Sequence, residues 1–414
     1  MEHSQLFMEM LLGDKYFTSK ELMYEAKPGL HISPHEYKQF VSYKDSIEGE
    51  LSNYVHKINL KTFNNFGVFY VSSTELLSIE NSYYRLIIED NEQTHSMLSI
   101  RNMDDITLSR IYSEVEGTLN IESVPTTRKA VAEIAMNKRD PKNQNEHIIQ
   151  NMINGIIFLN GCPKFNETNL YTLYGILSKD CLSDDYKLLD GNIYRHDGVE
   201  IGGYNGCPFS QIKECMDSLF EFVNNNLKNQ ELIYYLPHIA HYYILYIHPY
   251  FDYNGRTARM VSYWISLLVN NKVFPQVISE AINQTKAQYY NAITETRDAH
   301  NDLTYFLLYV YKISIKYFLT YKNIEEIDQE LKNKSVVLTN VEKAYIKKIL
   351  ISSKGKFTHS DFTKWVDVNM TKQGALKILN SFCSYGVLVS TTSKSNNKLF
   401  EINSKMIKYV PNIK

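Results

Sequence analysis

Cysteine is sparse in this chain, and arginine is sparser than its basic content would suggest. Five cysteines (Cys162, Cys181, Cys207, Cys215, Cys383) stand in 414 residues, an odd number with no Cys-x-x-Cys spacing, which argues against a disulfide scaffold and a zinc ribbon. No run approaches the roughly 20 apolar residues of a membrane span. The opening MEHSQLFMEMLLGDKYF carries acids and no basic segment ahead of its apolar residues, so neither a secretory leader nor a membrane partner is expected, and the chain reads as cytoplasmic. Gly-x4-Gly-Lys-Ser/Thr, Gly-x-Gly-x-x-Gly and Gly-x-Ser-x-Gly strings are missing too, which leaves three common nucleotide-binding and hydrolase readings without a foothold.

The rest is an ordinary globular composition, 44% apolar and 22% charged, with length enough for two or three domains. A net charge of −2 hides an uneven distribution. Residues 335–414 hold 13 Lys, no Arg and 4 acids, a formal +9 that leaves −11 for the remainder. Only nine of the 44 basic residues are arginine, so the places that use arginine stand out.

Along the chain, residues 1–103 form an extension whose fold periodicity does not settle: FGVFYVSS (66–73) and YYRLIIED (83–90) suit strands or short helices. From 104 to 320 the apolar spacing is helical, over 104–123, 145–159, 169–178, 208–226, 233–247, 255–270, 283–298 and 302–320. The break at 180–207 is rich in glycine and turn residues and reads as a hairpin or flap set into a helical domain. The polar stretch 321–336 suits a linker or connecting helix. In 337–414, helices capped near Thr339 and Thr358 and a third over 371–384 precede the alternating VLVSTTSKSNNKLFEI. Three helices and a hairpin resemble a winged helix-turn-helix domain. The expected fold is mainly α, a helical core with a short β-hairpin flap, followed by a small α/β domain.

Chemistry concentrates in His248-Pro249-Tyr250-Phe251-Asp252-Tyr253-Asn254-Gly255-Arg256-Thr257-Ala258-Arg259. An apolar helix ends at this string and another begins in it, so a histidine faces a helix N-terminus, whose unpaired N–H groups and dipole attract phosphate. Asn254-Gly255 can take positive φ and turn amides toward an anion. Arg256 and Arg259, three residues apart, share a helix face, and Asp252 offers a hard oxygen suited to Mg²⁺. A base, an anion cradle, two arginines and a metal carboxylate are the parts phosphoryl transfer uses. His238 and His241, one turn apart on the preceding helix, raise the alternative of a metal site with His248. No nearby carboxylate completes that set, and a packed or capping role suits them better.

The string resembles the signature of the Fic (Fic/DOC) family, matching it at His248, Asp252, Asn254, Gly255, Arg256 and Arg259. Tyr250 replaces its usual Phe and Tyr253 its usual small residue. The resemblance implies a protein adenylyltransferase using ATP and Mg²⁺. His248 would take the proton of a target Tyr, Ser or Thr hydroxyl and Asp252 would hold Mg²⁺. Asn254, Gly255 and Arg256 would line the anion site, and Arg259 would hold the γ-phosphate. Glycine at 255 argues against the phosphorylating branch, which has lysine there. Tyr194–Asn205 sits where the family carries its target-aligning hairpin, and Tyr289-Tyr290 resembles its adenine-pocket aromatics.

Some members carry an inhibitory helix with Ser or Thr four residues ahead of a Glu. Three glutamates compete here: Glu48, Glu116 and Glu122. At 100° per residue Leu108, Ile111, Val115, Leu119 and Glu122 fall on one stripe, which selects Glu122, with Thr118 at the first motif position. On this reading Glu122 pairs with Arg259 and withholds it from the γ-phosphate, as in the N-terminal inhibitory class. The partners that follow are a target protein or the enzyme itself, and a second copy in a homodimer. The basic terminus adds DNA or a docking protein. The competing function is a DNA-binding regulator whose Fic domain is a degenerate sensor.

Overall fold

Apolar residues at helical spacing do make helices, and the protein is mainly α. The computed structural model describes residues 2–25, 31–47, 49–93, 105–136, 138–162, 164–270, 278–366, 370–392 and 398–410. The chain divides into two compact units, 1–314 and 315–414.

The first unit opens with α1 (Glu2–Leu12), α2 (Pro34–Asp45), the antiparallel pair β1 (Val55–Ile58) and β2 (Val68–Val71), and α3 (Thr74–Gln93). Then come α4 (Asp105–Ile121), α5 (Arg128–Ala135), α6 (Gln144–Asn160) and α7 (Glu167–Ser178). A two-residue hairpin, β3 (Glu200–Ile201) and β4 (Tyr204–Asn205), precedes α8 (Ile212–Asn226), α9 (Leu236–Ile247) and α10 (Asn254–Leu268). The unit continues through α11 (Ile278–Gln284) and α12 (Lys286–Asp298) into α13 (Thr304–Asn333), which supplies residues to both units.

Local sequence accounts for many of these boundaries. Ser33 and Glu36 close a capping box at α2, and the side chains of Asn143 and Asn166 cap α6 and α7, each satisfying an amide that the helix leaves unpaired. α9 is apolar nearly all round and is buried on nearly every side, the mark of a central helix. It packs chiefly against α10, and α4 packs along α11. That second crossing requires glycine: a Cβ on Gly117 would lie 2.6 Å from the Glu280 amide nitrogen.

Three segments take a definite form. Residues 1–93, whose fold the sequence left open, carry a strand joined to the rest of the unit: Leu303 N donates to Phe69 O at 2.7 Å and ties β2 to the core. Within them 66–73 holds a strand, while 83–90 lies inside α3, where Leu76, Ile79, Tyr83 and Ile87 share a buried face. The stretch 283–298 is two helices parted at Thr285. Of the two readings open for 321–336, a linker or a connecting helix, the structure has 321–333 helical, and its Ile324, Ile327 and Leu331 enter the core of the second unit.

That second unit adds α14 (Asn340–Ser352), α15 (His359–Val366), α16 (Lys372–Ser384) and the antiparallel pair β5 (Leu388–Thr392) and β6 (Lys398–Ile402). Its core is built from Ile346, Phe362, Leu379, Phe382, Val387 and Phe400. Thr339 and Glu342 form a capping box on α14. No described helix is long and apolar enough to cross a membrane.

Candidate active site

The site begins where α9 stops. His248 takes the left-handed conformation (φ 56, ψ 63) just past Ile247, its own N–H still bonded to Ile244 O at 2.8 Å. A non-glycine residue there costs on the order of 1–3 kcal/mol and persists only when its surroundings impose it. Burial pushes the imidazole down to about 4; a backbone bond at Leu245 and Glu122 oppose the effect, and the Arg195 guanidinium adds to it. The ring is therefore neutral at pH 7, the form able to accept a proton.

The loop that follows is closed by its own side chains. Asn254 receives the Tyr250 amide on Oδ1 at 3.0 Å and returns Nδ2 to Tyr250 O at 2.8 Å. Its side chain is thus spent on loop shape, and what it can offer an anion is its backbone N–H. Tyr250, fully buried, stacks on Tyr174 with ring centroids 3.7 Å apart, so it keeps the aromatic anchor. Positive φ falls not on Asn254-Gly255 but one residue earlier, on Tyr253 (φ 67), and α10 starts directly after it. The unpaired amides of the first turn of α10 therefore face the space in front of the loop.

Tyr253 is large where the family pattern is small, and its ring lies under Arg256, whose guanidinium carbon is 3.3 Å from the ring centroid. This cation–π contact holds a buried guanidinium whose Nε has no hydrogen-bond partner among the described residues. Asp252 sits beside it, 43% exposed, with Oδ1 accepting the Tyr253 amide at 2.6 Å and lying 3.6 Å from Arg256 Nη2. A half-exposed carboxylate beside a phosphate-sized anion site fits Mg²⁺, which commonly takes one or two carboxylates together with substrate phosphates and water.

Arg259 is occupied. Its Nη2 donates to Glu122 Oε1 at 2.5 Å and its Nε to Thr118 Oγ1 at 2.7 Å. The same carboxylate oxygen would lie 2.7 Å from a Cβ on Gly255, so Glu122 rests on the first turn of α10 and a side chain at 255 would have to push it aside. Burial raises the Glu122 carboxyl, but Arg259, Arg256 and Lys286 outweigh it and hold the carboxyl below its ordinary range. α4 is also tied elsewhere: both oxygens of Glu114 accept the Ser279 amide, at 2.9 and 3.0 Å, and Lys286 Nζ reaches Asn120 O. Burial pushes the Glu114 carboxyl up to about 8.

The remaining candidates separate. Tyr289 is core, its hydroxyl 2.8 Å from His241 Nε2, whereas Tyr290 is 51% exposed. His238 packs its ring against Tyr311, and burial pushes it down to about 3. Among the described residues no group of three metal-ligating side chains gathers. Glu116 lies part-buried on α4, and Glu48 and the side chain of Leu108 fall outside the described residues. Arg195 has no role in the sequence reading, yet its Nε is 2.8 Å from the His248 carbonyl. The available signal was its rarity, one of nine arginines, inside the glycine-rich flap.

Sequence comparison finds similarity to curated proteins named protein adenylyltransferase Fic. The one from Drosophila grimshawi is 27% identical over 175 residues, 41% of this chain and 32% of the relative. The one from Drosophila mojavensis is 27% identical over the same length, 31% of that relative. The chain thus spans about a third of the length of these curated relatives. Among solved structures, a Fic family protein from Desulfovibrio desulfuricans aligns over 80% of this chain and 97% of its own, at 16% identity and a TM-score of 0.48. Fic-1 of C. elegans (residues 134–508) aligns over 61% of this chain and 72% of its own, at 19% and 0.48. Glu122, Tyr289 and Tyr290 lie outside the stretch that a family profile covers; residues 164–266, which carry the flap, His248 and the whole loop through Arg259, match the Fic/DOC family.

Proposed function

We propose that the protein transfers AMP from ATP to a Tyr, Ser or Thr hydroxyl of a target protein or of itself, and that Glu122 keeps it slow at rest. The observation that carries this reading is a neutral, part-buried imidazole at the end of α9, next to the loop that opens α10, with Arg256, whose Nε has no hydrogen-bond partner among the described residues, in the first turn of that helix. In the reaction the hydroxyl oxygen attacks the α-phosphorus while its proton passes to His248, the bond to the β-phosphate oxygen breaks, and pyrophosphate leaves. The α10 amides and Arg256 hold the phosphates in place. Asp252 would hold Mg²⁺, which offsets charge on the phosphates when bound. The β3–β4 hairpin, turned by Gly202 and Gly203 at positive φ, offers a strand edge to the target backbone.

The test is incubation of the Glu122→Gly protein with labelled ATP, GTP, UTP or CTP and Mg²⁺, with and without His248→Ala. Label from ATP is expected on protein, and it should vanish in the double variant, whose nucleotide binding largely survives. Transfer that is unchanged without His248 would overturn the proposal.

A second reading concerns the basic unit, and a specific observation favours it. We infer that residues 337–414 are a winged helix-turn-helix module that contacts duplex DNA. On α16 the exposed Gln373, Lys377, Asn380 and Ser384 form one stripe, and Lys398 of β6 reaches Asn380 Oδ1 at 2.6 Å, bringing the hairpin to that same face. Two of the unit's acids are spent on caps, Glu342 at Thr339 and Asp361 at Thr358. With no arginine for guanine, contact with phosphate is favoured over base readout. Affinity for random duplex should fall steeply between about 50 and 200 mM salt; no binding at the lower salt rejects this reading and leaves protein docking.

A further inference from the structure

The carbonyls at the end of α9 are not left to solvent. Four in succession, Tyr246, Ile247, His248 and Pro249, each accept a bond from the flap. Tyr204 Oη donates to Tyr246 O at 3.2 Å, Cys207 N to Ile247 O at 3.2 Å, Arg195 Nε to His248 O at 2.8 Å, and Arg195 N to Pro249 O at 3.0 Å. The last carbonyls of a helix have no intrahelical partner, so here the flap serves as the C-terminal cap of the helix that delivers the base.

Arg195 is the centre of this clasp. Its guanidinium spreads to three backbone carbonyls: His248 from Nε, Asp197 from Nη1 and Cys207 from Nη2. Asp197 and Cys207 lie on the two legs of the flap, so a single planar group ties both legs to the backbone of the base. The side chain is buried, and among the described residues no carboxylate pairs with it. A charge kept in such a place needs every donor used, and a cation beside a helix C-terminus is favoured by the dipole. The space is fitted closely as well: a Cβ on Gly206 would meet Val199 Cγ2 on the flap at 2.9 Å, Arg195 Nη2 at 3.1 Å and His248 Cβ at 3.5 Å.

We propose that Arg195 is a positioning residue for the transfer reaction, holding His248 in its left-handed conformation and locking the flap and the base into one rigid body. A target strand docked on β3–β4 is thereby registered directly against the imidazole. The clasp also supplies the restraint that a non-glycine residue at φ 56 requires. This inference rests on His248 being the base, as in the proposed function.

The experiment uses the full-length chain in the Glu122→Gly background, with Arg195→Lys and Gly206→Ala added separately. Lysine keeps the charge but cannot span the three separated carbonyls; alanine at 206 crowds the guanidinium without removing it. Misplacing a reacting group by about 1 Å can cost about 100-fold. Arg195→Lys should therefore lower kcat for self-modification by roughly 10- to 100-fold while KM for ATP stays within about threefold. Gly206→Ala should fall in between, and in both variants the amides of 204–207 and those of Ile247, His248 and Tyr250 should exchange hydrogen faster together. A kcat within twofold of the parent, or a parallel loss of kcat, ATP binding and melting temperature, overturns the proposal. Should Arg195→Lys not fold, Gly206→Ala decides alone, and an unchanged rate rejects it. His248→Ala keeps the two claims apart: activity surviving there defeats the base assignment, whereas activity surviving only in the Arg195 and Gly206 variants defeats the clasp alone.

Discussion

Glu122→Gly should raise self-modification with ATP by tens- to several-hundred-fold over the wild-type rate. Arg259 is fully buried and spends Nη2 on Glu122 and Nε on Thr118, so the guanidinium expected to meet the γ-phosphate already has a carboxylate. An arginine that orients phosphate is worth about 2–4 kcal/mol if it behaves like other electrostatic contributors, which converts to that range of rates. The substitution carries little helix penalty, because Glu122 lies just past the last residue of α4, Ile121. Adding Arg259→Ala should return the rate to its low value, since the released arginine does the activating. Thr118→Ala alone should activate only slightly: it removes one bond to Nε and leaves the carboxylate in place. Glu116→Gly is the control and should match wild type in a label-incorporation assay. Activation by Glu116→Gly with Glu122→Gly silent would show that the carboxylate facing Arg259 is not the brake.

How much of this could be read without coordinates depends on sequence distance. The loop from His248 to Arg259 carries its chemistry within twelve residues, and helix periodicity on either side fixes which ends meet there. Glu122 was accessible through the apolar stripe because Val115 and Leu119 are buried on the face that leads to it, although Ile111 is only part-buried. Periodicity did not mark Glu114, a buried acid within α4, because the partner of its oxygens is the Ser279 amide, 165 residues away. Arg195 reaches a backbone carbonyl 53 residues on, and a main-chain partner leaves no trace in residue identity. The N-terminal segment was the least legible part, since the contacts that fix it to the core join residues far apart in sequence, Lys44 and Asp302 among them at 258 positions.

That contact sets the second large effect: Asp302→Ala destabilises the protein by about 3–5 kcal/mol, the usual cost of stranding one member of a buried ion pair. Lys44 and Asp302 are both fully buried, 2.5 Å apart. Asp302 also accepts Tyr16 Oη at 2.5 Å and both the hydroxyl and the amide of Thr304, at 2.5 and 3.0 Å. Removing the carboxylate leaves an ammonium, a phenol and a hydroxyl without their acceptor. Lys44→Met should cost less, because Asp302 keeps its three other donors and the methionine still packs against Phe40 and Tyr305, whose ring centroids lie 5.1 and 5.3 Å from Lys44 Nζ. Replacing both, as Lys44→Met with Asp302→Leu, should cost less than Asp302→Ala alone, since no charge is then left unpaired. Urea unfolding monitored by circular dichroism gives the order directly. Asp302→Ala within about 1 kcal/mol of wild type, or Lys44→Met as the more damaging change, would mean that α2 is held to the rest of the first unit by apolar packing and not by this pair. If the order holds, deleting residues 1–93 removes Lys44 and Tyr16 together and leaves Asp302 buried at the start of α13. The first unit should then fail to fold, although every residue assigned to chemistry is still present.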